Sequence, residues 1–248
     1  MDKHRILKPL IGRVAVVTGA GRGIGRATTL ALVNAGATVV AMARTATDLS
    51  SLVGEALDGY CVMHPGDVTH ERDVITAFKT ATVLGQPSIL VNAAGAAQFG
   101  PTKDFALSDW KDVVHANLTG TFLCCREAIR VFDEGGHIVN IGSIAGHTAF
   151  PNSAAYCAAK WGVVGLTKSL AAEARASGRE DLRFTLLSPG SVDTALWDNV
   201  EYAPPREDML QPADVARAIV GIVAQPRRMS VDEIRLMPAK GVLDFTEE

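Results

Sequence analysis

The chain is poor in the features that mark specialised protein classes. Its 248 residues hold four cysteines, Cys61, Cys124, Cys125 and Cys157. Their spacing fits neither a CxxC metal site nor a disulfide framework, so they read as reduced thiols and no metal is expected. No segment approaches 18 uninterrupted apolar residues, which speaks against a membrane-spanning helix. The start, MDKHRILKPLIGR, is basic but has no apolar run long enough for a signal peptide. Charge of one sign is never concentrated. The 24 basic and 27 acidic residues leave a net −3, so capture of nucleic acid or an anionic membrane is not expected. With no linker or composition break, residues 1–248 read as one domain of a soluble, cytoplasmic protein. The composition, 48% hydrophobic and 21% charged, is that of an ordinary globular chain.

Strand and helix signals alternate along it. Short apolar runs at 13–18, 38–43, 60–63, 88–92, 137–141, 182–187 and 231–236 read as strands. Helical spacing occupies 23–35, with Gly36 as a stop, then 47–57 with Thr47 as a cap, 73–83, one or two helices in 107–131, 154–176, and 212–224 with Pro212 in its first turn. Repeated βα units with apolar strands imply an α/β fold: a parallel sheet of about seven strands with helices on both faces. Asp193–Leu210 lacks periodicity and carries Pro204 and Pro205, which suggests a mobile loop or short helices near the site.

Between the first strand and the first helix lies Thr18-Gly19-Ala20-Gly21-Arg22-Gly23-Ile24-Gly25. Glycines let a backbone turn sharply and approach a pyrophosphate, and the helix that follows offers free N–H groups and a positive dipole end. Plain turns share this look, but here the loop ends a strand and opens a helix, as the mechanism requires. It is not a Walker loop, because no Gly-Lys-Ser/Thr follows. An NAD enzyme places an acid about 20 residues on, against the ribose hydroxyls. Here the second strand ends at Ala43-Arg44-Thr45, and no acid lies between Gly25 and Thr47. Arg44 and Arg22 offer phosphate donors instead, which favours NADP(H) over NAD(H). The competing reading is two solvated surface arginines.

Tyr156 and Lys160 are four apart in the long helix and share a face. A tyrosine near pKa 10 is a poor acid–base group at neutral pH. A cation about 4 Å away, at an effective dielectric of about 20, supplies roughly 4 kcal/mol, a ceiling of about three pKa units. An exposed Tyr–Lys pair is the plain alternative. Ser143 follows the strand HIVNI, where the ends of parallel strands form the ligand crevice, and its hydroxyl suits a substrate oxygen. The plain alternative there is a turn serine.

Taken together, TGAGRGIG at 18–25, Asp67-Val68, NAAG at 92–95, Asn117, Ser143, Tyr156, Lys160, and Pro189-Gly190 with Thr194 resemble the short-chain dehydrogenase/reductase family over nearly the whole length. The stretch at 43–52 with Arg22 looks like the family's NADPH-preferring carbonyl reductases. The resemblance implies a Rossmann-type doubly wound sheet and a set of roles. Tyr156 would be the general acid in reduction and the base in oxidation. Lys160 would lower its pKa and hold the nicotinamide ribose, Ser143 would orient the substrate oxygen, and Asn117 would hold a water in a proton relay. Asp67 and Val68 would contact the adenine, Asn92 the cofactor floor, and Val192 and Thr194 the carboxamide end, with Ala93, Gly95, Pro189 and Gly190 also at the cofactor. Alanine at 93, where the family often has asparagine, removes no catalytic group.

Loops expected to border Ser143 supply Ala145, His147, Phe150, Gln98, Trp197 and Tyr202 as substrate walls, with 191–211 as the substrate loop. Their apolar cast suggests a ketone or secondary alcohol of moderate size. His147 reads first as a loop histidine. Alternatives are a 3-oxoacyl-carrier-protein reductase, an NAD-dependent alcohol dehydrogenase and a dinucleotide sensor without turnover. For the first, Arg126 and Arg130 would be the landing patch, weakened by Asp133 and Glu134. A nucleotide-sugar epimerase needs a larger C-terminal part than the 58 residues after Gly190. Helix 154–176 is small and apolar on most sides, so a second subunit is expected to cover what the sheet does not, giving a homodimer or homotetramer.

Overall fold

A computed structural model describes residues 8–56, 60–198, 200 and 203–241. Seven strands form one parallel sheet: β1 (Val14–Thr18), β2 (Thr38–Ala43), β3 (Cys61–Pro65), β4 (Pro87–Asn92), β5 (Gly136–Ile141), β6 (Leu182–Pro189) and β7 (Glu233–Leu236), in the order β3-β2-β1-β4-β5-β6-β7. The central strands β1 and β4 are apolar and buried because both faces of the sheet are covered there. Ala15, Val17, Ile89, Val91 and Val139 point to one side. There they meet α1 (Gly23–Asn34), α2 (Ala46–Glu55) and α7 (Pro212–Val223) through Leu32, Leu49, Leu52 and Ile219. Val14, Val16, Leu90 and Ile138 point to the other. There they meet α3 (Glu71–Leu84), α5 (Gly120–Val131) and α6 (Ala154–Ala176) through Phe78, Ala128, Phe132 and Ala174.

Local chemistry sets the boundaries, and several differ from expectation. Helix α2 begins at Ala46 after Thr45, so Thr47 lies inside its first turn and is not a cap; the expected end at Leu57 falls outside the described residues. β3 is displaced to Cys61–Pro65, and β7 starts at Glu233 rather than Val231. Gly36, at φ +98°, stops α1 as expected, because only glycine adopts that conformation freely. The stretch 107–131 holds α4 (Leu107–Val114) and α5, joined without a break by one π-helical turn, His115–Thr119. Among its described residues the segment 193–210 holds two single 3₁₀ turns, Ala195–Trp197 and Arg206–Asp208.

The order of the strands reverses between β1 and β4. Ligands of such sheets bind beyond the carboxyl ends of the strands at this switch, which here means around Thr18 and Asn92.

Candidate active site

Three segments close on the β1–α1 turn: the loop after β4, the first turn of α2 and the stretch at Thr194. Gly19 has φ +65°, and a Cβ on it would lie 2.7 Å from Ala93 O and Ala94 N. A Cβ on Gly25 would lie 2.6 Å from the Gly19 carbonyl carbon. The Thr194 methyl sits 3.1 Å from where a Gly23 Cβ would be, and the Asp48 Cβ 3.0 Å from that of Gly21. Only a backbone without side chains fits between these walls, and it leaves the first turn of α1 open to a ligand. That turn contains no acid, so its dipole keeps its attraction for an anion.

Arg22, the residue before α1, and Arg44, at the end of β2, are both exposed. Among the described residues neither guanidinium makes a hydrogen bond or an ion pair, although the Arg22 carbonyl accepts the Arg26 N–H at 3.2 Å. Thr45 caps the next helix by position only, without a side-chain bond. Burial opposes ionisation of Asp67, but hydrogen bonds from the Thr69 N–H and hydroxyl, with the Arg44 and His70 charges, outweigh it and hold the carboxyl below its usual range. Val68 packs against Gly120 at the start of α5. Asn92 is buried and donates to Asn140 Oδ1 at 2.8 Å, while its own Oδ1 has no partner.

The expected catalytic residues converge. Ser143 lies two residues past β5, takes the Ala145 N–H at 3.1 Å and sits near enough to the Tyr156 phenol to favour its ionisation. Lys160 Nζ lies 5.6 Å from the Tyr156 ring centroid and donates to Ile141 O at 2.9 Å. Burial is the largest influence on both. It pushes the phenol up to about 12, with Ser143 opposing, and pushes the ammonium down to about 8. Desolvation of the phenolate is thus the largest influence on the Tyr156 phenol in this arrangement.

Asn117 sits in the π turn. The extra residue in that turn directs it inward, where Nδ2 donates to Ala96 O at 2.6 Å and to Val113 O at 2.8 Å. Its Oδ1 is buried without a partner. A Cβ on Gly95 would lie 2.6 Å from that oxygen and 4.0 Å from Lys160 Nζ, so Gly95 keeps the space between them open.

The supposed substrate wall is distributed differently from the sequence reading. Trp197 stacks on Phe99 at 6.4 Å and 14°, and Phe99 turns its edge to Tyr156 at 6.0 Å. Phe99 escaped the sequence reading, which picked its exposed neighbour Gln98; an aromatic four residues past Gly95 was the available signal. Ala145 is buried and Phe150 half-buried. His147 faces Ser188 Oγ at 3.0 Å and Arg235 at 3.2 Å, which ties its ring to β6 and β7. Val192 is buried, and Gly190 follows Pro189 with its N–H bonded to Leu236 O at 2.8 Å. Tyr202 lies outside the described residues. Asp48, on the first turn of α2, also borders the cradle at Gly21, a contact that the sequence does not reveal. The glycine cradle and the unpartnered Oδ1 atoms of Asn92 and Asn117 fit a dinucleotide lying from α1 across β4 to Lys160.

Among the described residues no helix is long and apolar enough to cross a membrane, and no cluster of His, Cys, Asp and Glu could hold a metal. The short chain dehydrogenase family profile matches residues 13–204. An uncharacterised oxidoreductase of Staphylococcus aureus (strain USA300) is 33% identical over 232 residues, covering 92% of this chain and 98% of that protein. Human dehydrogenase/reductase SDR family member 11 is 33% identical over 251 residues, with 93% and 95% covered. The crystal structure of an alcohol dehydrogenase from the archaeon Thermococcus sibiricus, complexed with 5-hydroxy-NADP, superposes with a TM-score of 0.84 at 25% identity, over 94% of this chain and 99% of that one. With its Rossmann-type sheet, its glycine cradle and its gathered serine, tyrosine and lysine, the chain belongs to the short-chain dehydrogenase/reductase family of NAD(P)-dependent oxidoreductases.

Proposed function

We propose that this oxidoreductase works with NADP(H) in preference to NAD(H), on a ketone or secondary alcohol of moderate size, with residues 1–248 as one catalytic unit. The observation that carries the cofactor preference is the pair Arg22 and Arg44. Both side chains are exposed and make no protein hydrogen bond, Arg22 within the glycine loop and Arg44 just past β2, while β2 ends without a carboxylate. A guanidinium with unused donors suits a phosphate. The NADP analogue named for the Thermococcus relative agrees with this.

The cofactor, when bound, supplies or accepts the hydride. The protein moves the proton. In reduction Tyr156 Oη gives its proton to the substrate oxygen as that oxygen becomes an alkoxide, and Ser143 Oγ shares the developing charge through a hydrogen bond. A phenol near 12 stays protonated across neutral pH, the form reduction needs. Lys160 is charged below about pH 8 and steadies the phenolate left behind. Phe99 and Trp197 exclude water and give the substrate's unreactive part an apolar surface.

A carrier-protein substrate is less well supported, since Arg126 is paired with Glu71 and Arg130 with Glu127. The assembly we favour is a homo-oligomer. On α4 to α6, Trp110, Phe122 and Trp161 are exposed at 39%, 40% and 52%, a face that a second copy would cover. The four cysteines are free thiols, which suits the cytoplasm. The test is a panel of alkyl and aryl ketones with NADPH. Turnover of apolar ketones is expected, and Tyr156→Phe should lower kcat by about 100-fold or more, the usual weight of a general acid, with NADPH affinity nearly unchanged. Equal turnover by Tyr156→Phe would remove the assigned acid.

A further inference from the structure

Both walls of the site on the β6 side come from one short stretch, Asp193–Asp198. Thr194 lies over Gly23 of the cradle, with its methyl 3.1 Å from the position of a Gly23 Cβ. Three residues on, Trp197 stacks on Phe99, which in turn meets Tyr156. The stretch contains only a single 3₁₀ turn, too short to hold itself in place. Its remaining backbone ties are few, chiefly Asp193 N–H to Leu210 O at 2.8 Å.

One side chain binds it at three points. Arg206 Nη1 donates to Asp193 Oδ1 at 2.6 Å and to Thr194 O at 2.9 Å, and Nη2 donates to Asp198 Oδ1 at 2.8 Å. The bonds bracket Thr194 and Trp197 on both sides. The turn that carries Arg206 is itself anchored, because Met209 just after it is buried and the Leu210 N–H bonds Ser191 O at 3.0 Å. A single exposed ion pair contributes little to stability. Three bonds from one planar fork fix an orientation instead, and lysine cannot reproduce such a fork.

We propose that Arg206 is a positioning residue for catalysis: its guanidinium sets the cofactor wall at Thr194 and the substrate wall at Trp197 in one register with Tyr156. This rests on the functional reading above and names the group that aligns the site. Arg206 touches neither reacting atom. It acts through the two residues it brackets.

The test uses Arg206→Ala and Arg206→Lys in the full chain, with Arg217→Ala on α7 as a surface control. Loss of alignment by about 1 Å costs about 100-fold, so kcat/KM for the ketone should fall by about that factor in Arg206→Ala. The loss should be smaller in Arg206→Lys and absent in Arg217→Ala. A second readout needs no substrate. With Trp110→Phe and Trp161→Phe as background, Trp197 is the single tryptophan, and acrylamide should quench it more strongly once Arg206 is alanine. If Arg206→Ala fails to fold, Asp193→Asn and Asp198→Asn, each weakening one bond, should each show part of the effect. Unchanged kcat/KM and unchanged quenching in folded Arg206→Ala would overturn the proposal. If the parent reduces no ketone with either cofactor, the functional reading fails, and the Trp197 quenching comparison still decides whether Arg206 holds the wall.

Discussion

Replacing Gly25 by alanine tests the cradle with one methyl group. The new Cβ would lie 2.6 Å from the Gly19 carbonyl carbon and 3.1 Å from Ala20 N, with the Gly19 oxygen closer still, where ordinary contact begins at 3.4 Å. All of these atoms are backbone, so no side chain can swing aside. Relief requires the first turn of α1 to move off the loop by more than 0.8 Å, the shortfall from 3.4 Å at the carbonyl carbon alone, because the Gly19 oxygen is closer still. Overpacking of this kind costs about 1–3 kcal/mol of stability. The larger effect falls on binding. The N–H groups that would receive the pyrophosphate are carried off with the turn, and a misplacement near 1 Å costs about 100-fold, or about 2.7 kcal/mol. Gly221→Ala in α7 is the matched control. Nothing lies within 4 Å of its Cβ, and alanine in a helix gains about 0.8–1 kcal/mol over glycine. Thermal melts and NADPH fluorescence titrations of the three proteins separate the effects. NADPH affinity within threefold of the parent for Gly25→Ala would refute the cradle as the pyrophosphate site.

Three further outcomes follow from the site. The reduction rate should hold steady through neutral pH and fall above about pH 8, since Lys160 is depressed to about 8 and loses its charge there, while the phenol at about 12 remains protonated. An initial-rate profile that rises through pH 8–9 would contradict that order. Asp48→Asn removes a carboxylate beside Gly21, whose Cβ would lie 3.4 Å from Asp48 Oδ2. NADPH should bind several-fold more tightly, and unchanged affinity would place Asp48 outside the reach of the cofactor phosphates. Gly95→Ala puts a methyl 2.6 Å from Asn117 Oδ1 and 4.0 Å from Lys160 Nζ. It should lower kcat more than NADPH affinity, and the reverse split would move Gly95 from the proton path to the binding floor.

The parallel sheet was legible in the sequence because every central strand is buried on both faces, as the valine and isoleucine runs of β1, β4 and β5 require. The edges were not. β3 alternates between buried and exposed positions, and β7 is only four residues long, so tertiary pairing decided their limits. The catalytic positions could be named because serine, tyrosine and lysine recur with asparagine and glycine in a fixed chain order. Their electrostatics could not, because a spacing of four residues says nothing about how deeply a phenol is buried. Phe99, Asp48 and Arg206 were missed for a common reason: each matters through a contact distant in sequence, with Trp197, Gly21 and Asp193 respectively.

The central claim is the cofactor preference read from Arg22 and Arg44. The most direct measurement is a pair of fluorescence titrations, NADPH and NADH, on the parent protein and on Arg44→Ala. The parent should bind NADPH at least about tenfold more tightly than NADH, about 1.4 kcal/mol, and Arg44→Ala should lose most of that margin while its NADH affinity stays the same. Equal or tighter binding of NADH by the parent would contradict it.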